Sequence, residues 1–153
     1  MRTIALRFSD NFAPDSGTIA EHKKIIEKFG FVWYGKLGSI VSDKACGDIL
    51  KNNQPRILLI HSGKSARYWA YIDKISRDIP DLAAVPEYYR DQAGIFRTWF
   101  RVLRFEEAEK NVMAACTVSS SGAPLSVTSR HSMSPYFIID CADQTKNETS
   151  HTE

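Results

Sequence analysis

The sequence has few cysteines and no paired cysteine motif. Its three cysteines, Cys46, Cys116 and Cys141, lie far apart and form no CxxC pair, so a structural zinc site is not expected. An odd number of scattered cysteines is typical of reduced thiols in the cytoplasm. None of the four histidines lies at metal-ligand spacing from another histidine or a cysteine. We therefore expect neither a metal nor another cofactor.

Long apolar runs are also missing. No stretch approaches the roughly 18 residues that a membrane-spanning helix requires, and no basic-then-apolar leader follows Met1. With 43% hydrophobic and 25% charged residues, the 153-residue chain has the composition of a globular protein. We expect a cytoplasmic protein without a membrane partner. A single domain is expected over residues 1–140, and a disordered polar tail over residues 141–153.

The excess of positive charge is small. The net charge is +2 for the whole chain. Without residues 141–153 it is +4, from 19 basic and 15 acidic side chains. Such an excess fits a local surface that contacts phosphate, and it fits the absence of a charged partner equally well.

Motifs for catalysis or nucleotide binding are absent or incomplete. Gly63-Lys64-Ser65 follows an apolar run, but the glycine that a P-loop needs five positions before Gly63 is replaced by Leu58. The next segment alternates like a strand, whereas a P-loop opens a helix, so a hairpin turn is the better interpretation. No set of acid, base and nucleophile stands out, and a partly buried role explains His61 more simply than catalysis does. We expect a protein that is not an enzyme.

Hydrophobic patterns divide the chain into strands and helices. Alternating or apolar runs predict strands at about 3–8, 31–34, 56–62, 66–75, 96–105 and 136–140. Helices are predicted at about 18–29 and 42–51, the first ending at Gly30 and the second capped by Ser42 or Asp43. Loops are predicted at 35–38, 79–91, 106–109 and 119–122, and residues 111–117 are ambiguous. This order predicts an α+β fold, with a curved, mixed, mostly antiparallel sheet or partial β-barrel and the two helices packed outside it.

Aromatic residues occur in adjacent pairs near the ends of these strands. The pairs are Trp33–Tyr34, Tyr68–Trp69, Tyr88–Tyr89 and Trp99–Phe100. Neighbours on a strand face opposite sides, so one member of a pair can join the core while the other faces a groove. The sequence leaves open which member does so. Aromatic walls beside small polar and basic residues suit the stacking of an unpaired base, although core packing explains the same composition.

Several segments resemble the PUA-like clan, and within it the EVE and YTH branches. FVWYGKLG at 31–38 is similar to the strand that brings a Trp to the pocket edge. RILLIHSGKSARYWAYIDKIS at 56–76 is similar to the clan's central hairpin. VPEYYRD at 85–91 and FRTWFRV at 96–102 resemble the tyrosine-rich loop and Trp strand of EVE domains in modification-dependent restriction proteins. The resemblance covers about residues 32–140, although residues 119–130 are more polar than it leads us to expect.

This resemblance implies a non-catalytic module that binds DNA or RNA and holds a flipped, methylated or otherwise modified base in an aromatic pocket. It implies that Trp33 and Trp99 are pocket walls, with the other base-binding residues being Tyr34, Ser62, Tyr88 and Tyr89. It implies phosphate contacts by Lys36, Arg90 and Arg97. It also implies a separately encoded nuclease or other effector as a partner, and a role in defence through modification-dependent restriction.

Two alternatives stay open. The ASCH branch shares the fold and includes RNA-binding proteins and some hydrolases. The other alternative is a protein-interaction domain without a pocket. Binding to modified oligonucleotides would indicate the first interpretation, turnover of RNA or acylated nucleosides would indicate an ASCH protein, and neither result would favour the interaction domain.

Overall fold

One mixed β-sheet organises the structure, a computed structural model that describes residues 1–11 and 13–142. Its strands are β1 (Arg2–Phe8), β2 (Val32–Lys36), β3 (Arg56–His61), β4 (Arg67–Ser76), β5 (Thr98–Glu107), β6 (Thr117–Val118) and β7 (Tyr136–Asp140). The helices of the described residues are α1 (Thr18–Phe29), α2 (Asp43–Leu50), α3 (Glu87–Arg90), α4 (Val112–Ala115) and α5 (Leu125–His131). Two 3₁₀ turns, Leu82–Ala84 and Ala93–Ile95, flank α3.

The sheet confirms the predicted fold class. Its strand order is β2-β5-β4-β3-β1-β7-β6, and only β1 and β3 run parallel while the other five neighbouring pairs are antiparallel. The predicted hairpin of β3 and β4 is present, with Leu58 opposite Trp69. The pairing of β4 with β5 shifts register on both sides of Ile72, and irregularities of this kind increase the local twist and bend of long strands.

The sheet curls without closing into a barrel. Four strands separate β2 from β7 in the sheet, yet the Lys36 ammonium of β2 lies 4.8 Å from the centroid of the Tyr136 ring of β7. A Cβ atom on Gly38, just after β2, would lie 3.8 Å from Pro135, just before β7. The two ends of the sheet therefore approach each other on one side, which is the partial barrel that the sequence predicts.

Apolar side chains cover both faces of the sheet. The inner face forms the larger core, in which Ile4 and Leu6 of β1 pack with Ile19 of α1 and Ile49 of α2. The outer face is covered near β1 and β7 by α4 and α5, through Met113 and Leu125 among others. Because both faces of the sheet are covered at β3, the side chains on both sides of this strand are apolar, and its sequence is a continuous hydrophobic run.

The C-terminus of α1 and the N-terminus of α2 follow the expected capping rules, whereas Gly17 precedes α1 and no side chain of Ser16 or Thr18 caps it. Gly30 adopts φ 84° after α1, and its N–H donates to the carbonyl of Ile26 at 2.7 Å. The Ser42 hydroxyl accepts a hydrogen bond from the N–H of Ala45 at 3.1 Å and caps α2. None of the helices in the described ranges has the length and apolar character that crossing a membrane requires.

The structure differs from the sequence-based prediction at several boundaries. β2 continues through Gly35 and Lys36, for which the sequence predicts a loop, and β5 continues to Glu107. The ambiguous segment contains α4, and the polar segment that fits the family pattern poorly contains α5. Leu125 of α5 is fully buried and anchors the helix. Because a single apolar side chain makes this contact, the segment has no hydrophobic periodicity from which a helix could be predicted.

A disulfide bond links Cys116 and Cys141, so the expectation of three reduced thiols is wrong for this pair. Cys46 is free. The Cys141 N–H also donates to the Met1 carbonyl at 2.8 Å, so Cys141, which the sequence places in the polar tail, is bound to the sheet. The remainder of the predicted tail, residues 143–153, lies outside the described residues.

We predict that reducing this disulfide destabilises the protein. It joins residues that are 25 positions apart, and loop-closure entropy gives a loop of that size a stabilisation of about 3.5 kcal/mol. The midpoint of urea unfolding should therefore fall when dithiothreitol is added. Cys46→Ser should show the same fall, whereas Cys116→Ser should start from the lower midpoint and not respond to the reductant. An unchanged midpoint in all three proteins would contradict a stabilising disulfide.

Candidate functional site

A cavity of about 280 Å³ lies where the curled ends of the sheet meet. Its volume lies just below the usual range for small-ligand pockets, roughly 300–1,000 Å³. Leu6 and Phe8 of β1 form an apolar part of its wall. The polar part of the lining includes Ser9, Thr18 and Gln92. Across the cavity, β2 contributes Tyr34, Gly35 and Lys36, and α3 contributes Tyr88 and Tyr89.

The aromatic wall of the cavity is a connected set of rings. Tyr89 stacks on Phe96, with ring centroids 4.8 Å apart and planes 25° apart. Tyr88 meets Tyr89 edge to face at 4.8 Å, and Tyr34 lies 6.4 Å from Tyr89. Burial raises the pKa of all three tyrosines above the ordinary value, so their phenols are neutral near pH 7 and can donate or accept hydrogen bonds.

Gly35 permits the position of Phe96. A Cβ atom at residue 35 would lie 2.6 Å from Cγ of the Phe96 ring, which is closer than any ordinary contact. A glycine within a strand often marks such a close approach. Phe96 in turn packs edge to face on Trp99 at 5.2 Å, so the cavity wall is continuous with the core behind it.

His22 supports this wall from behind. It is fully buried on α1, with ring centroids 5.1 Å from Tyr34 and 5.0 Å from Tyr89. Its Nδ1 lies 2.8 Å from the Thr18 carbonyl, so this nitrogen carries the proton and donates. Burial lowers the pKa of His22 to about 4, and the ring is therefore neutral near pH 7.

Asp10 and His61 form a pair beside the cavity, in the lining of an adjoining depression. The His61 Nδ1 accepts from the Gly63 N–H at 2.9 Å, which leaves Nε2–H to donate to the Asp10 carboxylate at 2.8 Å. The other Asp10 oxygen accepts from the Thr18 N–H, at 2.9 Å, at the start of α1. Both ring nitrogens are occupied by structural partners, so the pair orients the loop between β1 and α1.

The structure brings four of the six predicted base-binding residues to the cavity. These are Tyr34, Ser62, Tyr88 and Tyr89. The two tryptophans are elsewhere: Trp99 is fully buried with Val85 and Ala93, and Trp33 packs against the same cluster. Trp99 and Phe100 are both fully buried because β5 is covered on both faces, so neither member of this pair faces a groove.

The three predicted phosphate contacts have different surroundings. Lys36 lines the cavity but is buried, and its ammonium donates to the carbonyls of Leu37 at 2.9 Å and Ser39 at 2.6 Å. Arg90 is exposed, and its Nε donates to the Leu82 carbonyl at 3.0 Å. Arg97 is exposed beside Phe96.

A sequence model of the PUA-like family matches residues 4–150, nearly the whole chain. The chain belongs to the PUA-like family. Membership suggests a nucleic-acid-binding module and agrees with the curled mixed sheet. No curated protein and no solved structure matches this PUA-like chain.

The residues that sequence reasoning missed include Gly35 and Phe96, which line the cavity, and His22, which packs behind its wall. Gly35 follows Tyr34 directly, but the sequence places it in a loop, so the close contact that a glycine inside a strand indicates became visible only when the structure extended β2 to Lys36. His22 lies three residues after Ile19 and three before Ile25, so the helical period places it on the buried side of α1. Phe96 opens the predicted strand 96–105 but lies just before β5 in the structure, and the strand pattern does not show that its ring stacks on Tyr89.

We predict that Gly35→Ala distorts the cavity. The added methyl group would overlap the Phe96 ring, and overpacking of this kind costs about 1–3 kcal/mol. Gly47→Ala is the matched control, because Gly47 lies in α2 and a methyl group there would have no atom within 4 Å, so alanine should be neutral or stabilising. Urea unfolding of both variants tests this. Equal stability of the two would contradict the contact.

We predict that His22 makes the protein less stable as the pH falls. Its folded pKa of about 4 lies below the ordinary value of 6.5, so the unfolded state takes up the proton first. Stability is complete above pH 6.5 and should fall by about 2 kcal/mol between pH 7 and pH 5. In urea unfolding, His22→Gln should flatten this dependence, whereas the exposed His131→Gln should retain it. A slope that survives in His22→Gln would contradict the prediction.

Proposed function

We propose that this PUA-like protein is a non-catalytic module that binds DNA or RNA and holds one flipped, modified base in the cavity. The observation that carries the proposal is the wall of Tyr34, Tyr88, Tyr89 and Phe96 around a space of about 280 Å³. Flat aromatic walls stack on any base, at about 1–3 kcal/mol for each base. A methyl group on the base would add apolar area that such walls bury.

Polar groups at the cavity suit the edge of a base. The Tyr88 hydroxyl is buried and makes no hydrogen bond of ordinary geometry in the described part of the chain, although the side chains of Thr18 and Tyr89 lie close to it. A buried hydroxyl without a partner is costly, and a bound base could supply the missing bond. Ser62 lies at the mouth, and Gln92 offers both a donor and an acceptor.

The remaining predicted residues have defined places in the proposal. Arg97, next to Phe96, and Arg90, on α3, are candidates for phosphate contacts because both are exposed. Lys36 would contribute positive charge to the cavity wall, since its ammonium has no carboxylate within 4 Å among the described residues. Trp33 and Trp99 would support the wall from the core rather than contact the base.

The proposal includes a partner and a location. A module that binds without cutting would act through a separately encoded nuclease or other effector, as modification-dependent restriction requires. We propose that it does so in the cytoplasm. The Cys116–Cys141 disulfide is unusual for that compartment, where thiols are mostly kept reduced.

We predict that the protein distinguishes oligonucleotides by modification. Matched DNA and RNA strands, single and double, unmodified or carrying N6-methyladenine or 5-methylcytosine, would be titrated by fluorescence anisotropy at fixed salt. Tyr88→Ala should weaken binding of the preferred strand by about 1–3 kcal/mol, the contribution of one base–aromatic stack. Tyr71→Ala is the matched control, because Tyr71 is also partly buried but does not line the cavity.

Four outcomes would contradict the proposal. Equal affinity for all strands would remove base recognition, and an absence of binding would favour a protein-interaction domain. Turnover of RNA or of an acylated nucleoside, followed by chromatography, would favour an ASCH-like hydrolase. Equal effects of Tyr88→Ala and Tyr71→Ala would place the base outside this cavity.

A further inference from the structure

A second depression of about 310 Å³ adjoins the cavity. Phe8 and Thr18 line both spaces, so the depression, here called the α1 groove, is continuous with the cavity mouth. One side of the α1 groove is the first part of α1 with Lys23, and the other is the tip of the β3–β4 hairpin with Lys64. Tyr68 of β4 adds an aromatic ring to its lining.

The side chains that line the α1 groove carry a net positive charge. Lys23 and Lys64 are exposed, and neither has a carboxylate within 4 Å in the described residues. Asp10 is the acidic residue of the groove lining, but its two oxygens accept from the Thr18 N–H and from His61. These bonds lower the pKa of Asp10 and hold its charge at the groove floor.

The neighbouring acidic residue does not neutralise Lys23. Glu21 accepts from the Lys24 ammonium at 2.7 Å and from the Ser16 hydroxyl at 2.5 Å. Lys24 is thus paired on the same helix while Lys23, one residue earlier, is free to contact a ligand. The two unpaired ammonium groups lie on opposite sides of a polar groove that leads to the cavity.

The hairpin tip connects the groove to the cavity directly. Ser62 lines the cavity and Lys64, two residues later, lines the groove. The phosphates that flank a flipped nucleotide remain in the strand when its base leaves the stack. A base in the cavity would therefore place a neighbouring phosphate at the mouth that the two spaces share.

We infer that the α1 groove binds the phosphate backbone next to the flipped nucleotide, through Lys23 and Lys64. This inference rests on the proposed function and adds a direction to it: the strand leaves the cavity over the start of α1. Tyr68 would lie beneath the adjacent base, where its ring could stack on it. Phosphate contacts position a strand without reading its sequence, so these lysines would contribute equally to modified and unmodified strands.

The test is the salt dependence of binding by the double variant Lys23→Glu/Lys64→Glu. The matched control is Lys28→Glu/Lys110→Glu, which makes the same change in net charge with two exposed lysines outside the groove, one of them on α1. Single-stranded DNA and RNA with and without the preferred modification would be titrated at about 50 and 200 mM salt. Between these two salt concentrations, each phosphate contact accounts for about a threefold loss of affinity. The loss should therefore be about threefold smaller for each contact that the substitutions remove.

The expected result is a loss of affinity and a shallower salt dependence for the groove variant, with an unchanged ratio between modified and unmodified strands. The control should differ little from the unsubstituted protein. Equal behaviour of the two variants, while modified strands are still preferred, would overturn the groove and leave the proposed function standing. If the unsubstituted protein binds no strand, the proposed function is contradicted, and the inference about the α1 groove is contradicted with it.

Discussion

The curl of the sheet brings the end of β2 close to the start of β7, although four strands separate the two in the sheet, and it places β2 across the cavity from β1. The contact between the Lys36 ammonium and the Tyr136 ring, and the approach of Gly38 to Pro135, mark where the two ends meet. Without this curl, Tyr34 and Phe8 would lie on distant strands of an open sheet. The cavity exists because the curvature places them on opposite walls of one space.

The wall itself depends on packing that extends inward from the cavity. Phe96 can stack on Tyr89 because Gly35 leaves room for its ring, and Trp99 supports Phe96 from the core. His22 fills the space behind Tyr34 and Tyr89 as a neutral ring. Groups held by the core in this way lose little freedom when a ligand binds, and such preorganisation favours recognition of a flat, rigid molecule.

Electrostatics divide the surroundings of the cavity into two parts. The aromatic interior presents neutral phenols, because burial raises the pKa of each tyrosine. The adjoining groove presents Lys23 and Lys64, while Asp10 is bound at its floor. A neutral stacking surface beside a positive channel matches a nucleotide, whose base is flat and uncharged and whose phosphate is negative.

The sequence by itself determined the order of the six longer strands and of α1 and α2, the α+β class, the end of α1 at Gly30 and the Ser42 cap of α2. The hydrophobic period and the capping residues of an element are set by that element's own sequence, so they can be recognised without the tertiary structure. It also indicated Tyr34, Tyr88 and Tyr89, through their pairing near strand ends and the family resemblance. Only the tertiary structure decided that Trp99 belongs to the core with the partly buried Trp33 packed against it, and that Cys116 bonds Cys141. Whether one or both sides of a strand are buried depends on segments that are distant in the sequence, such as the 3₁₀ turns that cover β5. The local sequence of the strand contains no information about those segments.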